Sequence, residues 1–381
     1  YIEKMALLIV KHGVNVQQND TVIINSPLQC VKLAHEISRI SYENGAKQVL
    51  IDYIDQYQFN LRLKYEKEDV MCNLPQWYVD KKLLYNNLDC CHVSLLTFDE
   101  LESPNLDLQQ KYSSRVHTLC KQFYEDCNAS RTRWTLAVYP TQTWADKVFP
   151  NQKNNLDLLT QSLFNASGLN LNQQEVNATL HLMAVKLNEL RLQKLKYTSC
   201  ATKTDLTVGL NQAIWVGGSE YSPNKIEFNP NLPSFEVFSA PHKDQVDGYV
   251  KLTKPVEING FQCENVSFTF VNGKVVSFES DPAQKEVIQK FLEQEGASML
   301  GEVALVNHNS PVSNENVVFY ETLLDENASC HFALGNAYEI CGKDKSTMNE
   351  SDEHTDFMIG CADMRIVGTT ESGEEVLIME N

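Results

Sequence analysis

The chain has 381 residues, with 32 Lys and Arg against 50 Asp and Glu, and so a net charge of -18. A surface field of that sign repels nucleic acid and anionic membranes. Its 43% hydrophobic and 22% charged residues are those of an ordinary globular protein and exclude wholesale disorder, and its length allows two domains.

In chain order, TVIIN (21–25) reads as a strand, Leu28 to Tyr42 as an amphipathic helix stopped at Gly45, and QVLIDYI (48–54) as the next strand. That is βαβ grammar, and VSLLTF (93–98) and TLAVYP (135–140) extend it. The prediction is an α/β fold that begins with an αβα domain around a parallel sheet. From Asn172 to Lys194 the pattern predicts a long helix: Asn172 is a good N-cap, Glu175 follows three residues on, and Leu180, Val185, Leu187, Leu190 and Leu192 are among its apolar residues.

Beyond that helix the grammar changes to short alternating strands. VSFTFVNGKVVSFES (266–280) places Asn272-Gly273 between two alternating runs, a strong hairpin signal, and IVGTTESGEEVLI (366–378) predicts a second hairpin at Ser372-Gly373. The second half is therefore expected to be mixed α+β and largely antiparallel. The boundary is placed close to Cys200, giving an N-terminal α/β domain over 1–199 and a C-terminal domain over 200–381 that holds the candidate metal-binding and catalytic residues named below.

The eleven cysteines show no disulfide framework, the adjacent Cys90 and Cys91 being their one close pair, and no apolar run approaches the roughly 18–20 residues of a membrane span. Reduced thiols in a cytoplasmic protein are the expectation. Asn-X-Ser/Thr triplets at Asn19, Asn128, Asn165, Asn177, Asn265, Asn327 and Asn349 are read as chance matches in an Asn-rich chain. Gly-rich phosphate loops, the H-E-x-x-H helix and the G-x-S-x-G elbow do not occur, which leaves a nucleotide site and two hydrolase classes without their signatures.

The residues that carry chemistry gather late in the chain. Glu302, Glu326, His331, His354 and Asp356, with Glu236 upstream and Tyr338 between, offer the carboxylates, imidazoles and phenol of a two-metal hydrolase. His354 and Asp356 are spaced i, i+2, which places both on one face of a strand. Each residue also has a plain alternative: Glu302 as a cap or solvated acid, His331 as a hydrogen-bonded core histidine, His354 on a solvated loop. LGEVALV (300–306) and the FMIG that follows Asp356 set these acids beside core, where an unpaired carboxylate is costly and a cation is a good partner.

Over nearly its whole length the chain resembles the aminopeptidase T, aminopeptidase S and PepS family of metal-dependent, thermophilic-type aminopeptidases. The resemblance is carried by NLPSFEVFSAP (231–241), LGEVALV (300–306), LLDENASCHFALGNAY (323–338) and NESDEHTDFMIG (349–360), and extends to YENGAKQVLIDYID (42–55), PTQTWADKVFP (140–150) and TDLTVGL (204–210). It implies Glu236 as first metal ligand, Glu302 as bridging carboxylate, Glu326, His331, His354 and Asp356 as the remaining ligands, and Tyr338 as the active-site tyrosine. Three departures stand out. Phe235 occupies a usual glutamate position, the connection from Tyr338 to His354 is short, and the chain runs from Tyr1 to Asn381 without the family's Gly-x-Trp ending, so that both ends are expected to be incomplete.

The activity so implied is hydrolysis of the N-terminal bond of peptides with a free amino terminus, by water activated between two divalent ions of zinc, cobalt or manganese. Glu302 or Glu326 would accept the water's proton, and Tyr338 would donate a hydrogen bond to the oxyanion. The resemblance also implies a homodimer. A non-catalytic metal-binding scaffold of the same fold and a two-metal hydrolase of another amide are the rival readings, while phosphate substrates are disfavoured because no basic cluster flanks the ligand motifs.

Overall fold

The computed structural model describes residues 1–87, 89–98, 103–210, 213–258, 260–342 and 344–380. Two compact units divide it: Tyr1–Asn170 with Ser219–Pro233, and Leu171–Gly218 with Ser234–Asn381. This differs from a single boundary near Cys200 in two places, each with a packing reason. The helix Gln173–Leu190 buries Leu180, Ala184 and Leu187 in the core of the second unit. The segment 219–233 returns to the first unit, where Asn231–Leu232 pairs in parallel with Arg133–Val138.

The first unit holds a parallel five-stranded sheet in the order Asn231–Leu232, Arg133–Val138, Cys90–Leu96, Thr21–Pro27, Gln48–Ile54. The helix Val31–Glu43 connects the Thr21 and Gln48 strands and buries Leu33, Ala34, Ile37 and Ile40, a stripe at helical spacing. It ends at Glu43, and Gly45, the expected stop two residues on, has a φ of +97° that suits glycine.

The second unit is built from antiparallel sheets. A seven-stranded sheet runs in the order Lys274–Glu279, Ser267–Val271, Pro241–Lys251, Thr204–Leu210, Leu192–Ser199, Arg365–Thr370, Glu375–Glu380. Both predicted hairpins lie in it. Asn272 (φ +49°) and Gly273 (φ +84°) take the two positive angles of a type I′ turn, and Gly373 (φ +83°) closes the second. The predicted long helix is capped by Asn172, whose side chain accepts from the Gln174 N–H, but it stops at Leu190 rather than Lys194. Arg191 turns left-handed there (φ +47°), and the alternating residues 192–199 continue as strand.

A five-stranded sheet in the order His354–Met358, His331–Gly335, Leu300–Val306, Glu236–Ser239, Val216–Gly217 packs one face against the core. Val237, Val303, Leu305, Phe332, Leu334 and Phe357 point that way. Phe357 meets Phe268 of the larger sheet edge-on at 5.2 Å between ring centroids, and Phe332 meets Phe270 at 6.1 Å. Such aromatic pairs contribute about 0.5–1.5 kcal/mol each beyond burial. Among the described residues, no helix is long and apolar enough to cross a membrane, and all eleven cysteines are free thiols.

Candidate metal centre

Strand alternation explains how a fully buried strand carries a glutamate. In Leu300–Val306 every residue is buried, yet Val303 and Leu305 face the core while Glu302, Ala304 and Val306 face the other way. The register then sets the remaining acids and imidazoles on that second face. Glu302 is opposite Ala333, and Ala333 is opposite Asp356. Ala304 is opposite His331, Gly335 opposite His354, and Val306 opposite Glu236. Residues directly opposite on antiparallel strands share a face. Five of the seven candidates, Glu236, Glu302, His331, His354 and Asp356, are therefore held on one sheet face, and small residues at 304, 333 and 335 leave room between them.

A β-bulge between Leu300 and Glu302 adjusts this register, and Gly301 makes it possible. A Cβ at Gly301 would lie 2.3 Å from the Asn336 carbonyl oxygen, so no other residue fits. That carbonyl accepts a hydrogen bond from Nδ1 of His354 at 2.8 Å. His331 likewise directs Nδ1 to the carbonyl of Ser329, at 3.2 Å. A carbonyl only accepts, so both rings carry their proton on Nδ1 and turn Nε2 toward the acids, which is how metal-binding histidines are oriented.

The Nε2 atoms meet carboxylates closely. His331 lies 3.1 Å from Glu236, and His354 lies 3.2 Å from Glu302 and 3.5 Å from Asp356. Two groups of potential ligand atoms result, each within 4.8 Å of one another: Glu236, Glu302 and His331, and then Glu302, His354 and Asp356. Glu302 is common to both. Glu326 belongs to neither group, although Asn327 Nδ2 lies 3.4 Å from its Oε1 and it interacts electrostatically with Asp356, Glu236 and Glu302.

The electrostatics of this face favour a cation. Burial, then Asp356, Glu236 and Glu302, push the Glu326 carboxyl well above its usual range. Burial also raises Glu302, against the pull of His354. Burial opposes the charging of His331, but Glu236, then Asp356 and Glu302, outweigh it and raise the imidazole to about 9. His354 is raised well above its usual value by Asp356 and Glu302 despite burial, and Asp356 is lowered, the two imidazoles more than offsetting its own burial. Among the described residues, the ion pairs of the cluster are made by histidine alone. Glu236 Oε2 is buried and, although 3.1 Å from His331, has no hydrogen bond of acceptable geometry. A bare buried oxygen among four carboxylates and two outward-turned Nε2 atoms fits a divalent ion well.

Tyr338 sits at the edge of this face. Its ring packs 4.8 Å from that of His354 and 5.7 Å from that of Phe238, centroid to centroid. Burial and then the surrounding carboxylates hold its phenol well above its ordinary pKa, so it remains a hydrogen-bond donor at neutral pH. The carbonyls of Ser329 and Asn336, the Phe238 ring and Asn327 were not singled out for this site from the sequence. Only their adjacency to ligand motifs hinted at them, because backbone acceptors leave no residue-type signature.

A sheet face bearing this donor set, with a phenol beside it, is of the kind that a metal-dependent hydrolase uses. Comparison with known proteins agrees, and residues 1–381 match the family model described as thermophilic metalloprotease (M29). The chain is 33% identical to aminopeptidase 2 of Geobacillus stearothermophilus, an alignment covering 98% of this chain and 95% of the relative. It is 32% identical to aminopeptidase AmpS of Bacillus subtilis, over 99% and 96%. The solved structure of wild-type AmpT from Thermus thermophilus superposes with a TM-score of 0.92 at 29% identity, covering 100% of this chain and 97% of that one. The chain belongs to the thermophilic metalloprotease family M29 and is a metal-dependent peptidase.

Proposed function

We propose that the chain is an aminopeptidase that removes the first residue from peptides with a free amino terminus, with residues 171–218 and 234–381 as its catalytic unit. Two divalent ions, of zinc, cobalt or manganese, would be held by Glu236, Glu302 and His331 on one side and by Glu302, His354 and Asp356 on the other. Glu326 completes the set. The observation that carries this reading is that Glu302 belongs to both ligand groups, the position a bridging carboxylate needs. The names of the aligned relatives, all aminopeptidases, support the substrate class.

When bound, divalent ions supply Lewis acidity, which acidifies water and polarises a carbonyl. The chain's own residues do the rest. Glu302 or Glu326, buried beside one another in this cluster, would take the water's proton and deliver it to the leaving amine. Tyr338, protonated at neutral pH, donates to the developing oxyanion. The Phe238 ring beside Tyr338 offers an apolar surface to the substrate. A cytoplasmic homodimer is the setting that the free thiols and the family resemblance support.

The test is release of amino acid from a free peptide and from its N-acetylated twin, with chelator-treated enzyme before and after addition of zinc or cobalt. Metal-dependent release from the free peptide alone is expected. Equal release from both would refute the requirement for an amino terminus, and no release despite bound metal would favour a scaffold.

A further inference from the structure

We propose that Asn327 is a positioning residue that locks together two segments bearing metal ligands and thereby sets how tightly the centre holds its ions. The inference rests on the ligand assignment proposed above. Asn327 is fully buried, and its side-chain amide is engaged on both sides. Oδ1 accepts the main-chain N–H of Phe235 at 2.6 Å, immediately before Glu236. Nδ2 donates to the Leu323 carbonyl at 3.0 Å and makes a longer contact, 3.4 Å, to Oε1 of Glu326. The main-chain carbonyl of Asn327 is itself fixed by the Ser310 hydroxyl at 2.7 Å.

This pattern specifies an amide. Turning the group over would set N–H against N–H at Phe235 and oxygen against oxygen at Leu323 and Glu326. Aspartate would keep the acceptor but replace the donor with a charge facing the Glu326 carboxylate. Alanine would leave the Phe235 N–H without its acceptor in a buried place. Leu323 and Glu326 lie on the turn that precedes His331, whereas Phe235 enters the strand that carries Glu236, 92 residues away in sequence. One side chain thus fixes the spacing between Glu236 and Glu326. The departure at Phe235 leaves this link intact, because Asn327 binds the backbone there and not the side chain. Burial also means that the Asn327-Ala-Ser329 triplet cannot serve as a glycosylation acceptor in the folded chain.

The experiment compares the dissociation constants of zinc and of cobalt, measured against a chromophoric chelator, for wild type, Asn327→Asp, Asn327→Ala and Glu236→Ala, with circular dichroism and melting of the metal-free proteins as the fold control. Outer-sphere partners of metal ligands typically change affinity by about 10- to 100-fold when removed, and that weakening is expected for a folded Asn327 variant. A purely structural role would lower the melting temperature and leave metal affinity within about threefold of wild type, and that result would overturn the proposal. Failure of both Asn327 variants to fold even without metal would overturn it too, by showing a residue of the fold rather than of the centre. Glu236→Ala separates the two levels: unchanged metal binding in that variant would sink the ligand assignment itself, whereas its loss alongside tight binding by folded Asn327 variants would sink only this inference.

Discussion

Replacing Tyr338 by Phe isolates a single hydroxyl. The ring contacts to His354 and Phe238, at 4.8 and 5.7 Å between centroids, need only the aromatic ring, so Phe should keep the packing and His354 in place. What disappears is one O–H that burial and the carboxylates keep protonated. If that group donates to the oxyanion, its loss removes about 2.7–4 kcal/mol of transition-state stabilisation, or roughly 100- to 1,000-fold in kcat. Because the phenol's pKa is raised, this contribution should stay constant through the neutral range and not titrate there. The assay is steady-state hydrolysis of a free dipeptide at saturating metal, with bound metal counted in parallel. A fall in kcat with metal content unchanged is the expected result. A kcat within about threefold of wild type, with metal intact, would refute the role, and loss of metal would show that the hydroxyl supports the centre and not the reaction.

Glu302→Gln removes the carboxylate shared by both ligand groups and leaves His354, 3.2 Å away, with Asp356 as its remaining carboxylate partner. Breaking a buried charged pair costs about 3–5 kcal/mol, so chelator competition should show metal affinity falling by roughly 100-fold or more; wild-type affinity would contradict a shared ligand. Ala333→Leu places a branched side chain in the row between Glu302 and Asp356, and should destabilise the protein by about 1–3 kcal/mol while spreading the two carboxylates, seen as lower metal occupancy at fixed metal concentration. Glu220→Gln reports on pH instead. Burial raises the Glu220 carboxyl in the first unit from 4.5 to about 7, opposed by the Ser130 hydroxyl, so the folded state holds this proton more tightly than the unfolded chain. Stability is therefore lost as pH rises from about 4.5 to 7, to at most about 3 kcal/mol above pH 7, and the glutamine variant should gain on wild type by up to that amount at pH 8 and by almost nothing at pH 4.5. Chemical denaturation of both proteins across that range checks it, and a gap that does not change with pH would contradict the assignment.

Local signals in the sequence carried much of this structure, and non-local ones carried little. The Asn272-Gly273 turn and the Asn172 cap are written in a few adjacent residues, and the structure realises both. The helix end at Arg191 was missed because Leu192 continues the apolar spacing, and only the pairing of residues 192–199 with 204–210 makes strand the better choice. The excursion of 219–233 into the first unit has no signature at all, since a two-residue strand owes its place to the sheet it joins. At the centre the same divide holds. His354 and Asp356 announce their shared face by spacing, and Glu302 by its apolar surroundings. That Ala333 separates Glu302 from Asp356, and that Asn327 reaches back to Phe235, follow from register and loop placement, which composition does not encode.

The most direct test of the two-ion centre is a crystal structure of the cobalt- or zinc-loaded protein with anomalous scattering recorded at the metal's absorption edge. Two peaks in the second unit are predicted, one bordered by Glu236, Glu302 and His331 and the other by Glu302, His354 and Asp356, with Glu302 between them. A single peak, or peaks that leave Glu302 without a metal contact, would contradict the account.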